Sequence, residues 1–112
     1  MKIKPVVLRE RAHLDIEDAV AYYLGESDTA ALGFINALEK ACTHIGHHPG
    51  TGSPRYAHEL NLPGLRSWPL TRYPYLVFYI EHTDHVDVWR VLHSHRDIPV
   101  WMREESEPGQ PV

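Results

Sequence analysis

His93, His95 and Arg96 fall together near the end of the chain, followed by Asp97 and Trp101. The two histidines alternate around Ser94, so on a continuing strand they share one face. A histidine beside an arginine can deliver a proton while the guanidinium holds developing negative charge, the pairing that RNA cleavage requires. The same residues also suit a solvated strand end, with Arg96 held by Asp97 or by a partner. A second group, His44, His47 and His48, has the i, i+3, i+4 spacing that brings side chains onto one helical face, as metal ligands would need. It also sits where a helix should end, and there histidines meet the negative end of the dipole and water. No HExxH pattern, CxxC pair or acidic residue at ligand spacing accompanies it, so no metal and no cofactor is expected. A third group, Arg66 and Arg72, brackets a strand-like segment. With Arg90 and Arg96 these arginines could form a shallow cationic patch for carboxylates or phosphates. The chain carries no GxSxG elbow, no GxGxxG and no GxxxxGK[ST] loop. Trp68, Trp89 and Trp101 read as core or interface residues rather than a base-stacking platform.

The elements that must position these residues follow from hydrophobic spacing. Ile3–Leu8 is a short apolar run with β-propensity, and Pro5 places it at a strand start or a sheet edge. Ala12, Ile16, Ala19, Val20 and Tyr23 form the stripe of an amphipathic helix ending near Gly25. Ser27 or Asp28 offers an N-cap for a second helix, whose buried face is Ala31, Phe34, Leu38, Ala41 or Cys42, and Ile45; Pro49, Gly50 and Gly52 stop it. The short link between the two predicts an antiparallel helical hairpin. After a turn-rich stretch to Pro63, three strands are expected at Leu65–Leu70, Tyr75–Glu81 and Val86–Leu92, the last two joined by a polar four-residue connection. The order is β-α-α-β-β-β, an α+β fold with a helical hairpin packed on a small antiparallel sheet. The segment Tyr75–Ile80 is apolar throughout, which suits a central strand covered on both faces. One helical hairpin covers one face only, so the sequence suggests that a partner covers the other; exposure of Tyr75, Val77 and Tyr79 is the alternative.

Composition narrows the function classes. The 112 residues suffice for one domain, read as 1–103 with a polar, disordered tail at 104–112. One cysteine, Cys42, permits no intrachain disulfide, and the N-terminus lacks the apolar run of a signal peptide. With no membrane-spanning run either, the chain reads as cytoplasmic. The formal net charge is −4, and lysines stop at Lys40. Residues 53–103 carry six arginines against five acids, too weak a field for sequence-specific DNA binding by this chain.

An ordered set of short matches resembles the ParE branch of the ParE/RelE toxin superfamily. These are His48 and Pro49 closing the second helix; Gly64, Leu65 and Arg66; the strand from Tyr75 to Tyr79; and Val91 to Asp97. The resemblance covers about residues 3–99 and implies the same β-α-α-β-β-β order. It implies a type II toxin–antitoxin module: a ParD-like, DNA-binding dimeric antitoxin would neutralise this chain by a segment that folds on binding, giving a hetero-oligomer. ParE-type toxins imply DNA gyrase inhibition; RelE-type toxins imply ribosome-dependent mRNA cleavage, here by His93 or His95 with Arg72 and Arg96. The RelE branch relies on several lysines and arginines and often on a late tyrosine or histidine. This chain has no tyrosine after Tyr79 and lacks that basic set, which favours a gyrase inhibitor without chemistry of its own. A degenerate toxin kept as a binding partner is a third reading. The expected binding residues are Arg66, Arg72, Tyr75, Tyr79, Arg90, Arg96 and Trp101, with the arginines holding acidic residues of the antitoxin.

Overall fold

A computed structural model of the chain describes residues 3–96 and 98–106. The elements are β1 (Val6–Leu8), α1 (Glu10–Leu24), α2 (Asp28–His47), a 3-10 turn at Pro49–Thr51, α3 (Arg55–Glu59), β2 (Leu65–Pro69), β3 (Tyr75–Glu81), β4 (Val86–His93) and α4 (Ile98–Ser106). Ser27 starts α2 as its spacing predicts: the hydroxyl accepts the Ala30 amide at 3.0 Å, satisfying one of the donors a helix start leaves open. The first helix has no side-chain cap and depends on packing, burying Ala12 and Ala19. The second buries Ala31, Phe34, Leu38, Ala41 and Ile45, the face read from the sequence.

The sheet order is β1-β4-β3-β2. The strands β2, β3 and β4 are antiparallel neighbours, but β1 runs parallel to β4, with Val6 opposite Val86 and Leu8 opposite Val88. The sheet is therefore mixed rather than purely antiparallel. The helical hairpin carries the chain across from β1 to β2 at the far edge, and the antiparallel β2-β3-β4 run then returns to pair with β1, so the connection between the parallel strands is long. One bulge interrupts the β3–β4 ladder: Phe78 lies opposite Arg90 and Tyr79 opposite Val88, leaving Trp89 as the extra residue. The bulge shifts the side-chain phase, so Val91 rather than Arg90 joins Val86 and Val88 under the helical hairpin.

Both faces of β3 are buried, as its apolar run predicts; Val77, Phe78 and Tyr79 are all inaccessible. The covering differs from the expectation. Val77 and Tyr79 pack under α1 and α2 with Phe34, Leu38 and Ile45. Phe78, Leu65 and Leu92 pack with Ile98 and Met102 of α4, and with Tyr56, Ala57 and Leu60 in and beside α3. The chain supplies its own second cover from two helices that hydrophobic spacing did not reveal, so the bare strand face is no argument for a partner. Each fully buried Phe, Leu or Val side chain contributes roughly 1.5–3 kcal/mol. The last helix also carries ordered backbone past 103 to Ser106, into the segment read as tail; residues 107–112 lie outside the described residues. Among the described residues, no helix is long and apolar enough to cross a membrane.

Candidate functional site

Several residues expected to bind partners are engaged inside the fold. The Tyr79 hydroxyl donates to the Pro49 carbonyl at 2.7 Å and accepts the Gly52 amide at 3.1 Å. Arg66, opposite Tyr79 in the β2–β3 ladder, donates to the Gly52 carbonyl at 2.7 Å. Together they pin the 3-10 turn and Gly52 against the sheet. A Cβ on Gly52 would strike the Tyr79 hydroxyl and press on the Ser67 carbonyl, so glycine is required there by close approach. Arg90 is fully buried. Its Nε and Nη2 each donate to Asp15 of α1 at 2.8 Å, and its Nη1 donates to the Trp101 carbonyl of α4 at 2.7 Å. Asp15 also accepts the Val91 amide at 3.0 Å, at a part of β4 that lies past the end of β1. Arg90 thus ties α1, β4 and α4 together.

The histidines of α2 are also occupied. His44 stacks on Trp68 at 4.0 Å with its Nε2 2.8 Å from the Thr51 hydroxyl, and His47 Nδ1 lies 2.8 Å from the Thr43 carbonyl. No group of three metal-ligating side chains occurs among the described residues. Cys42 is half-buried, and burial with the nearby Glu39 raises its thiol pKa to about 11.

What remains gathers at one end of the sheet. A cleft of about 460 Å³ opens between α1, the start of β3 and the end of β4, and Tyr75, His93, Arg96 and Trp101 all line it. Tyr75 is opposite His93 in the ladder, and their rings meet edge to face at 5.2 Å. The Arg96 guanidinium lies 4.1 Å from the centre of the Trp101 ring, in cation–π contact. Arg72 is exposed on the β2–β3 turn with φ 73°, a left-handed conformation rare for arginine, and it does not line the cleft. Arg66, level with Tyr79, stands four strand residues from Tyr75, roughly 14 Å along β3. The arginines therefore do not converge on one patch.

The chemistry on offer at His93 is limited. Burial lowers its pKa, and the charges of His95 and Arg96 lower it further. Its Nδ1 faces the His95 amide at 3.1 Å, which fixes Nδ1 as an acceptor and leaves any ring proton on Nε2. A ring whose protonation is disfavoured in this way is poorly suited to act as a general acid, while His95 is exposed.

The other wall of the cleft comes from α1 and was not foreseen. Asp15, Asp18, Tyr22 and Glu26 recur at intervals of three, four and four residues, one flank of the helix and its end, and all line the cleft with Tyr23. Tyr22 is 61% exposed, while Tyr23 is held among Phe34, Tyr73 and Tyr75 in a chain of ring contacts. The site is an aromatic groove with acidic residues on one side and Arg96 on the other.

Residues 6–98 match the family model described as ParE toxin of type II toxin-antitoxin system, parDE. No curated protein matches significantly. Among solved structures the chain is similar to one titled "Chromosomal ParDE TA system from P. aeruginosa", at 16% identity and a TM-score of 0.67, over 81% of this chain and 96% of that one. At that identity the likeness is one of fold, and the fold is the α+β arrangement described above. The family match spans most of the sequence and covers both helices of the hairpin and all four strands: the chain belongs to the ParE toxin family of type II toxin–antitoxin systems.

Proposed function

We propose that this chain is the growth-inhibiting member of a toxin–antitoxin pair, acting in the cytoplasm on DNA gyrase by binding rather than by cleavage. A cognate ParD-like antitoxin, itself a DNA-binding dimer, neutralises it as a hetero-oligomer. The family match carries this reading. The cleft supports it by offering an open aromatic surface of the kind protein interfaces favour, with Tyr75, Arg96 and Trp101 as contact residues. Arg72, exposed on the adjoining turn, is a further contact. The Nδ1-engaged His93, whose protonation is disfavoured, and the dispersed arginines supply little of what a nuclease needs. The test is controlled induction in a bacterial host, alone and with the small reading frame beside the gene. The expected result is growth arrest with an early DNA-damage response and continuing protein synthesis, relieved by co-expression. Immediate translation arrest without a damage response would contradict it.

A further inference from the structure

We infer that the cleft receives a basic side chain, lysine or arginine, from the antitoxin segment that covers it. The inference rests on the toxin–antitoxin reading and specifies its chemistry. The sequence suggests the opposite polarity, arginines of this chain gripping acidic residues of the partner, but the structure redistributes the charges. Arg90 already holds Asp15, and Arg66 is bonded to Gly52. Arg96, the one arginine among the described residues that lines the cleft, is in cation–π contact with Trp101 at 4.1 Å. Protonation of His93 is disfavoured, first by burial and also by the nearby Arg96 charge.

Asp18 and Glu26 remain, both exposed, and neither is held in an ion pair among the described residues. Asp18 lies within α1, and Glu26 lies just past its C-terminal end at Leu24, at the same wall of the cleft. Tyr22 lies between them in sequence, mostly exposed, and its ring meets Tyr23 edge to face at 5.1 Å. Carboxylates beside exposed aromatic rings in a concave site attract a cation twice, through the ion pair and through the ring quadrupole. An acidic side chain entering along this wall would meet two like charges, and a purely apolar one would leave both carboxylates desolvated and unpaired. Charge complementarity therefore selects a basic occupant.

The probe is the protein encoded beside the gene, titrated calorimetrically into the full chain at low and at high salt. Asp18→Asn combined with Glu26→Gln keeps the side-chain shapes at exposed positions, and its thermal midpoint should match that of the parent. It should bind the antitoxin tenfold or more weakly at low salt and lose most of the salt dependence. Arg96→Gln, which removes a cation that repels a basic occupant, should bind more tightly than the parent at low salt. Undiminished binding by the Asp18/Glu26 variant, or a loss confined to Arg96→Gln, would overturn the inference while leaving the toxin–antitoxin reading intact. Failure of the unaltered chain to bind the antitoxin at all would overturn both.

Discussion

Asp15→Ala is expected to destabilise the fold by about 3–5 kcal/mol, the usual cost of removing one partner from a buried ion pair. The geometry sets that magnitude. The Arg90 side chain is 1% exposed and Asp15 only 11%, and one carboxylate takes two 2.8 Å bonds from the guanidinium as well as the Val91 amide. An exposed pair behaves differently: Lys4 and Glu81 approach to 2.7 Å at 24% and 39% exposure, so Glu81→Ala should cost below ~1 kcal/mol. Urea unfolding resolves the two, because a loss of ~3 kcal/mol lowers the midpoint by roughly 2 M in a domain of this size. Replacing both partners removes the orphaned charge, so Asp15→Ala with Arg90→Met should be more stable than Asp15→Ala alone. A cost under ~1 kcal/mol for Asp15→Ala at unchanged slope, or a double variant no more stable than the single one, would refute the view that this pair clamps α1, β4 and α4.

Tyr79→Phe, which removes a hydroxyl bonded to both Pro49 and Gly52, should cost about 1–3 kcal/mol in the same assay; a loss below ~0.5 kcal/mol would show that the turn is held by other contacts. The folded His93 has a pKa below its unfolded value, so its contribution to stability is full at high pH and declines once the pH falls below about 6.5. His93→Gln should therefore flatten part of the stability loss between neutral and mildly acidic pH, and an unchanged profile would contradict the assigned shift. Cys42, with its pKa near 11, should react with a disulfide reagent far more slowly in the native chain than in urea, and equal rates would mean that the thiol is not shielded. His93→Ala with His95→Ala should leave growth inhibition largely intact in a folded protein; a fall of roughly 10²–10⁴ in inhibitory activity would indicate cleavage chemistry instead.

The helical hairpin was legible because its signals agree: a capping serine, a stripe at helical spacing and a Pro-Gly stop. The last helix was not, because Pro99 and the acidic run after Met102 resemble a tail, although proline is tolerated in a first helical turn. Missing α3 and α4 produced the false inference of an uncovered sheet face. The parallel pairing of β1 was hidden as well, since an apolar triplet does not announce which strand it will join. At the site, Tyr75, His93, Arg96 and Trp101 drew attention as chemistry-bearing residues close to strand ends, and the fold gathers them. Arg90 read as a surface cation, because only the bulge at Trp89 and the position of Asp15 bury it. Asp18, Tyr22 and Glu26 went unnoticed, since the acidic flank of a helix looks alike whether it faces water or a groove.

Supercoiling of relaxed plasmid by purified gyrase, with this chain added alone or with its antitoxin, tests the proposed activity most directly. The chain alone should suppress supercoiling or trap cleaved DNA in proportion to its concentration, and a molar equivalent of antitoxin should restore the reaction. Full supercoiling at a large excess of folded chain that still binds its antitoxin would contradict gyrase as the target.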